Sequence, residues 1–238
     1  MADEIPNRES NGADEALRRD ILDVLLGDAA FDGFTDQALT KAARTAGLGQ
    51  DEIASGTVQR LFPRGVADAL ALWSETEDAA MVAAFEALNP KPHGITKRIT
   101  WLVRQRIEQL DWNREAARRA GSTLALPIHG RLGAKLLFQT ADTMWRAIDD
   151  KSTDFNWYTK RATLSAIYTA TLSHWFATQG DAAAEDPYAE TWAFLDARMG
   201  NLMQFEKFKA QVQKVTPDPV SIVNFLGRIR YGSGSSAS

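Results

Sequence analysis

Three histidines and no cysteine limit the metal and nucleophile chemistry that this chain can carry out. His93 and His129 lie in glycine-containing breaks, whereas His174 lies within a long helical stretch. None of the three has the Glu-x-x-His or His-Glu-x-x-His spacing that helical metal sites use. Without cysteine, thiolate nucleophiles and zinc–thiolate sites are excluded as well. We therefore predict no catalytic residue, no metal and no cofactor, and we expect His174 to be hydrogen-bonded and half-buried.

Residues 145–161 combine aromatic rings with charges at a predicted helix junction. The rings are Trp145, Phe155, Trp157 and Tyr158, and the charges are Asp149, Asp150, Asp154, Lys160 and Arg161. Rigid rings supply contact area and charges supply orientation, a combination typical of protein-binding surfaces. The alternative is that Ser152 or Thr153 caps a helix, Asp154 complements its dipole, and the rings belong to the core.

The elements that position these residues are predicted to be helices. Only 16 of 238 residues are glycine and 8 are proline, and alanine and leucine run through long unbroken stretches. No segment shows the two-residue alternation of a half-buried strand. The predicted fold class is therefore all-α, and the formal charge of −4 gives no overall attraction to nucleic acid or anionic lipid.

Apolar periodicity and helix breakers divide the chain into predicted helices and domains. The predicted helices are 14–30, 35–46, 50–62, 66–88, 95–120, a helix from Gly130 to Asp150, 154–179 and a last long helix that Asp186 caps ahead of Pro187. The predicted domains are a disordered lead-in at 1–13, a helix-turn-helix unit at 14–65, a helical ligand-binding domain at 66–214, an amphipathic helix at 215–231 and a flexible tail at 232–238. The uncharged run at 162–179 carries five hydroxyl side chains, so we predict a buried helix there rather than a membrane span.

The predicted helix-turn-helix unit is acidic. Between Asp14 and Phe62, five basic residues stand against nine acidic ones. Its third helix opens with Asp51 and Glu52, where the phosphates of bound DNA would lie. We therefore predict that this unit does not bind nucleic acid.

The segment from Val220 to Tyr231 predicts a separate amphipathic helix. Its apolar residues are Val220, Ile222, Val223, Phe225, Leu226 and Ile229. Full burial of each side chain is worth about 1.5 to 3 kcal/mol, so the helix should bind a surface. A membrane interface and a groove on this or a partner protein are the alternatives, and we predict the membrane.

Three strings of the sequence resemble a known family. They are Ser-Thr-Asp-Phe-Asn-Trp-Tyr-Thr-Lys-Arg at 152–161, Ala-Thr-Leu-Ser-Ala-Ile-Tyr at 162–168 and Thr-Trp-Ala-Phe-Leu-Asp-Ala-Arg at 191–198. Together they resemble the Coq-nine family of accessory proteins in coenzyme Q (ubiquinone) biosynthesis. The resemblance is strong from Leu137 to Lys209 and diffuse before that.

The resemblance implies a TetR-like fold, with a degenerate helix-turn-helix unit ahead of a helical domain that binds lipid. It implies a non-catalytic homodimer that binds an isoprenoid quinone or phospholipid and presents substrate to the Coq-seven-type di-iron demethoxyubiquinone hydroxylase. It also implies that the last amphipathic helix makes a peripheral membrane contact. Carried over by position, the partner-binding residues are Met144, Asp154, Trp157 and Tyr158.

The lipid would lie among the apolar faces of the long helices. The predicted lining residues are Leu137, Trp145, Leu164, Ile167, Tyr168, Leu172, Trp192, Leu195 and Met199. Helix periodicity alone does not separate lining from core, so each of them can instead be a core residue.

The sequence also leaves two alternative functions to consider and predicts a cellular location. A TetR-like transcriptional regulator that responds to an apolar ligand is the main alternative, and a stand-alone enzyme has no motif in its support. The acidic first residues lack the features of a secretion signal or a mitochondrial presequence. We therefore predict a bacterial cytoplasmic protein that associates peripherally with the inner membrane.

Overall fold

The computed structural model of the protein describes residues 5–151, 154–181 and 183–200. The regular elements in these ranges are all helical, which confirms the predicted all-α class. The helices are α1 (Ile5–Asp32), α2 (Asp36–Thr45), α3 (Gln50–Ala54), α4 (Thr57–Leu61), α5 (Val66–Ala87), α6 (Ile95–Glu108), α7 (Arg114–Leu124), α8 (Gly130–Ala147) and α9 (Asp154–Ala177), with a 3-10 turn at Asp111–Asn113. The TetR-like arrangement of these helices stays a prediction.

The chain forms two units, residues 1–195 and residues 196–238. The first contains α1 to α9 and helical residues 189–195, and in the second, residues 196–200 are helical. The predicted amphipathic helix and tail at 215–238 lie outside the described residues.

Helices α1 and α2 pack against each other through large apolar side chains. Ile21 and Leu25 of α1 and Leu39 of α2 are at most 1% exposed, as is Phe62 directly after α4. The Thr35 hydroxyl caps α2 by accepting a hydrogen bond from the Ala38 amide at 3.0 Å. The apolar pattern predicted both helices, although α1 begins at Ile5, earlier than the pattern from Asp14 indicates. Its first residues are polar, so apolar periodicity could not reveal them.

The single helix predicted over residues 50–62 is wrong. The chain forms two five-residue helices, α3 and α4, because Gly56 between them has a φ of +89°. That left-handed conformation ends α3 and is readily adopted only by glycine. Glycine within an apolar pattern was the signal for this break.

A second glycine positions the start of α5. Gly65 has a φ of +58°, and a Cβ added to it would lie 2.0 Å from Oδ1 of Asp36. The same Oδ1 accepts a hydrogen bond from the Val66 amide at 2.8 Å. Asp36 thus ties the beginning of α5 to α2, and a side chain at position 65 would displace it.

The helix predicted over residues 95–120 is also interrupted. Helix α6 ends at Glu108, and α7 begins at Arg114 after the 3-10 turn. Asp111 and Asn113 within that turn are residues whose short polar side chains favour turns over helix interiors. The interruption lets α7 take its own direction, and α7 contributes much of the cavity wall described below.

Helix α9 packs along α8 and carries the uncharged run of the sequence. Its hydroxyl groups donate to carbonyl oxygens one turn back, each at 2.8 Å; the donors are Thr163, Ser165, Thr169, Thr171 and Ser173. These bonds satisfy the hydroxyls within the helix. Among the described residues, no helix is both long enough and apolar enough to span a membrane.

The predicted cap at Asp186 is present. Its Oδ1 atom accepts hydrogen bonds from the Tyr188 amide and from Nε1 of Trp192, both at 3.1 Å. The Arg104 side chain of α6 binds the other carboxylate oxygen at 2.7 Å and lies over the Trp192 ring. The cap therefore also attaches the helical residues 189–195 to α6.

Candidate functional site

A cavity of about 620 Å³ lies between α5, α6, α7, α8 and α9. Its large apolar lining residues are Leu70, Trp73, Leu110, Leu124, Leu136, Leu137, Leu172 and Phe176. Cavities of roughly 300–1,000 Å³ with such a lining are typical small-molecule sites. At about 30 Å³ for each atom the size of a water molecule, the space holds roughly 20 non-hydrogen atoms.

Small side chains on α7 and α8 leave this space open. Ala117, Ala120 and Gly121 line the cavity from α7, and Gly133 and Ala134 line it from α8. The two helices approach closely at one point, where a Cβ on Gly133 would lie 2.9 Å from the Leu124 carbonyl oxygen. Because these positions carry little side-chain volume, the larger residues around them do not fill the interior.

The cavity has one side that reaches the surface. Ser122 and Ala125 at the end of α7, Ala134 of α8 and Ser173 of α9 line it and are exposed. Next to this mouth, Leu126 and Ile128 in the α7–α8 connection are 51% and 82% exposed. A ligand can therefore reach the cavity from the surface between α7, α8 and α9.

Part of the cavity wall carries a buried polar cluster. Nε of Arg106 donates to Oδ1 of Asp78 at 2.8 Å, and the Thr140 hydroxyl donates to the same carboxylate at 3.0 Å. Arg106, Asp78 and Thr140 are 4%, 8% and 2% exposed. Arg106 and Thr140 line the cavity together with Tyr168, which is also buried.

Burial shifts the acid–base properties of this cluster. It raises the pKa of the Asp78 carboxyl above its ordinary value, although Arg106 and Thr140 act in the opposite direction. Burial also raises the pKa of the Tyr168 hydroxyl, and nearby Arg106 again opposes the shift. Tyr168 is therefore neutral at physiological pH and can donate a hydrogen bond.

Three of the nine predicted lining residues line the cavity, namely Leu137, Tyr168 and Leu172. Five others are buried but do not line it: Trp145, Leu164, Ile167, Trp192 and Leu195. Met199 belongs to the second unit. The five buried residues have the same helical spacing as the lining residues, so periodicity could not distinguish the two groups.

The predicted partner-binding residues lie at the junction of α8 and α9, which an ion network holds together. Arg161 is 1% exposed, and its guanidinium bonds Asp142 through Nε at 2.6 Å and Asp150 through Nη1 at 3.4 Å. Lys160 also bonds Asp150, at 2.8 Å. Asp149 closes the loop with a φ of +60°, a conformation that aspartate tolerates better than most residues.

Two aromatic rings stand above this network. Arg161 lies 4.1 Å from the ring centroid of Trp157, and the Tyr158 ring packs edge-on against Trp157 at 4.7 Å. Tyr158 is 63% exposed and Trp157 is partly exposed. Met144 is fully buried and does not lie on the surface, and the side chain of Asp154 lies outside the described residues.

Sequence reasoning missed two features of the cavity, the buried polar cluster and the small side chains of α7. Arg106 occupies an apolar-face position of α6, in step with Ile99, Val103 and Leu110. A charged residue at such a position indicates a buried ion pair or a ligand site. Ala117, Ala120 and Gly121 likewise put little volume on one face of α7, a pattern that indicates close packing or a cavity.

His174 is hydrogen-bonded and half-buried, as the sequence predicted. Nδ1 of His174 lies 3.1 Å from the Thr191 hydroxyl and 3.2 Å from the Thr178 hydroxyl, and the side chain is half-buried. Within residues 5–151, 154–181 and 183–200, no group of three or more histidine or acidic side chains is placed to hold a metal ion.

Comparison with known proteins gives a consistent group of relatives. Residues 131–206 match the COQ9 family model. Ubiquinone biosynthesis protein COQ9, mitochondrial, of Drosophila melanogaster is 26% identical over 209 residues, or 85% of this chain and 60% of the relative. The Homo sapiens protein of the same name is 38% identical over 95 residues, 40% of this chain and 28% of the relative. The Schizosaccharomyces pombe protein is 28% identical over 143 residues, 58% of this chain and 52% of the relative.

The chain thus spans at most 60% of the length of these relatives. All three are eukaryotic proteins named as mitochondrial. That finding overturns the predicted bacterial cytoplasmic location at the inner membrane. The prediction relied on the composition of the first residues alone, which is a poor guide to compartment when nothing else supports it.

Proposed function

We propose that this protein is a lipid-binding accessory protein of ubiquinone biosynthesis, because residues 131–206 match the COQ9 family model, in agreement with the Coq-nine resemblance. The relatives are named ubiquinone biosynthesis proteins, which supports a role in that process. In the proposal, the cavity holds an isoprenoid quinone intermediate or a phospholipid. The protein then presents substrate to the Coq-seven-type di-iron hydroxylase and performs no chemistry itself.

The observation that carries the proposal is the cavity enclosed by α5, α6, α7, α8 and α9. Its lining is mainly apolar, and its mouth lies among exposed residues of α7, α8 and α9. Each methylene-sized unit of a lipid buried there is worth about 0.8 kcal/mol relative to water. A ligand filling the space is therefore shielded from water while it is outside a bilayer.

The exposed rings at the α8–α9 junction support a partner surface. Tyr158 presents most of its ring to solvent, while Arg161 fixes Trp157 beneath it. Preordered aromatic side chains lose little conformational entropy on binding, which is why they dominate interface energetics. The hydroxylase is the partner that we propose for this surface.

The basic residues of α1 to α4 form ion pairs within the protein, which argues against a function as a transcriptional regulator. Four of the five cations between Asp14 and Phe62 already pair with acidic neighbours, namely Arg18, Arg19, Lys41 and Arg60. A DNA reader gains most of its affinity from cations that face phosphates. We therefore propose no regulatory function.

Extraction of the purified protein tests the lipid-binding proposal. Native mass spectrometry should detect one lipid-sized adduct for each chain, and organic extraction should release an isoprenoid quinone or phospholipid. The same spectra report the oligomeric state, for which we propose a homodimer. Repeated recovery of lipid-free protein that takes up neither lipid class would contradict the proposal.

Alanine substitution tests the partner surface. The Trp157→Ala/Tyr158→Ala protein should lose at least about thirtyfold in affinity for the hydroxylase, because one hot-spot ring contributes about 2 kcal/mol or more. Trp112→Ala is a matched control, since Trp112 is 92% exposed in the 3-10 turn and outside the proposed surface. Circular dichroism should show intact folding of both proteins. Equal hydroxylase binding by both would remove the partner role from the rings.

The membrane contact proposed for residues 220–229 is tested separately by truncation after Thr216. Binding to anionic liposomes should weaken, since a single amphipathic helix would supply most of the buried apolar area. Unchanged liposome binding by the truncated protein would refute this role.

A further inference from the structure

The cavity wall formed by α5, α6 and α9 contains hydrogen-bond donors that the protein does not use. Nη1 of Arg106 is buried and has no hydrogen-bond partner among the described residues. The Tyr168 hydroxyl likewise makes no hydrogen bond within that part of the chain, although the residue is 4% exposed and lines the cavity. Leaving a buried donor unpaired is unfavourable. Arg106 and Tyr168 line the same cavity, so an acceptor bound against this wall would meet both side chains.

These donors are much more deeply buried than the residues at the mouth of the cavity. Arg106, Tyr168 and Thr140 are all under 5% exposed, whereas the mouth residues Ser122 and Ala134 are exposed. Most of the remaining lining is leucine, alanine and glycine, with Trp73 and Phe176, and its other polar members are Ser74, Arg118, Thr169 and Ser173. A ligand whose polar end meets the donors would therefore point its apolar part toward the mouth.

The charges around the donors favour a neutral acceptor over an anion. Asp78 bonds Arg106 directly at 2.8 Å, and Glu77 is near enough to influence the same guanidinium. The positive charge of Arg106 is thus already compensated before any ligand binds. A buried phosphate or carboxylate would add an uncompensated negative charge, which is costly in a largely apolar cavity.

We propose that Tyr168 and Arg106 form a polar anchor that binds a neutral ring oxygen, such as a quinone carbonyl, at the closed end of the cavity. This inference rests on the proposed lipid-binding function and adds the orientation of the ligand. The ring lies against the anchor, and the chain leads out between α7, α8 and α9. Space for roughly 20 non-hydrogen atoms accommodates a substituted ring and a short length of chain, so a long isoprenoid must extend through the mouth.

Three probes of matched tail length test the anchor. They are 2,3-dimethoxy-5-methyl-6-decyl-1,4-benzoquinone, decylbenzene, which lacks acceptor oxygens, and decyl phosphate, which carries an anion. Binding to the full chain is measured by calorimetric titration. The wild-type protein should bind the quinone more tightly than either other probe.

Tyr168→Phe removes the anchor hydroxyl without breaking a hydrogen bond inside the protein. It should weaken quinone binding about tenfold, the loss expected for one good hydrogen bond, and leave decylbenzene binding unchanged. Tyr188→Phe is the matched control, because its hydroxyl bonds Asp111 at 2.6 Å and does not line the cavity. It should bind all three probes as the wild type does.

The double substitution Asp78→Asn/Arg106→Gln keeps a neutral hydrogen-bonded pair, whereas removing Arg106 alone would leave Asp78 buried without its charge partner. It should also weaken quinone binding selectively. Unchanged quinone affinity in both Tyr168→Phe and the double variant would overturn the anchor while the lipid-binding proposal stands. Tighter binding of decyl phosphate than of the quinone would likewise overturn it. Failure of the wild type to bind any probe would contradict the lipid-binding function itself.

Discussion

Helices α1 to α4 and helices α5 to α9 use the same apolar spacing but fill their interiors differently. In the first group, Leu25, Leu39 and Phe62 are at most 1% exposed and no residue lines the cavity. In the second group, Ala117 and Ala120 of α7 face a cavity of about 620 Å³. Apolar periodicity therefore decides which face of a helix is buried, whereas side-chain volume decides whether that face packs without a cavity.

The ion pairs of the two regions also differ, in how deeply they are buried. Near α1 to α4, Lys41 and Arg60 form ion pairs that are largely exposed. In the second region, Arg106 and Asp78 form a pair that is almost completely buried beside the cavity. The second region therefore combines two costs, empty volume and buried charge, and a bound ligand would reduce both.

The largest expected contrast comes from removing a leucine side chain in each region. Leu25→Ala should lower the free energy of unfolding by about 2–5 kcal/mol, because it creates a cavity in a packed interior. Leu172→Ala should cost about 1 kcal/mol, because it enlarges an existing cavity and Leu172 is only half-buried. Urea unfolding of both variants measures the difference. Equal losses would mean that the two interiors are packed alike.

An intermediate effect is expected from adding volume. Ala43→Phe, at a fully buried position of α2, should destabilise the protein by about 1–3 kcal/mol through overpacking. Ala117→Phe places its ring in the cavity and should change stability by less than about 1 kcal/mol. Thermal unfolding of the two proteins compares them directly. Strong destabilisation by Ala117→Phe would indicate that the space is not available to a side chain.

The smallest expected effect concerns an exposed ion pair of the first region. The hydrogen bond from Arg60 lowers the pKa of Asp14 below its ordinary value, so the pair stabilises the protein above about pH 3.9 and this contribution is lost as the pH falls through the lowered pKa. Asp14→Asn should therefore melt at a slightly lower temperature than the wild type at pH 6. The difference should shrink as the pH falls through the lowered pKa of Asp14. A gap that grows on acidification would contradict this assignment.

The sequence predicted the helices well and their interruptions poorly. Apolar spacing identified α2, α5 and α9 to within a few residues, because each buries one continuous face. It missed the breaks at Gly56 and Asp111–Asn113, where local turn chemistry outweighs the apolar pattern. Both breaks contain glycine, aspartate or asparagine, residue types that favour turns, so the preferences of these residues could have predicted them.

The candidate site was only partly predictable. Of the residues predicted to bind lipid, Leu137, Tyr168 and Leu172 line the cavity, whereas Trp145 and Leu164 have the same spacing and are packed. Whether a buried residue meets a neighbour or empty space depends on the residues of other helices, which one helix pattern does not contain. Trp157 and Tyr158 were identified by residue type, and their different exposures follow from the packing of α8 on α9.

Binding of an isoprenoid quinone to wild-type and Ala117→Phe protein tests whether the cavity between α5, α6, α7, α8 and α9 is the ligand site. We expect one saturable site in the wild type and at least a tenfold weaker affinity in Ala117→Phe, since the added ring occupies space that roughly six ligand atoms would fill. Ala116→Phe serves as a control for helix α7, because Ala116 is buried but does not line the cavity. Equal quinone affinity in the wild type and in folded Ala117→Phe would show that the ligand lies elsewhere and would contradict the account.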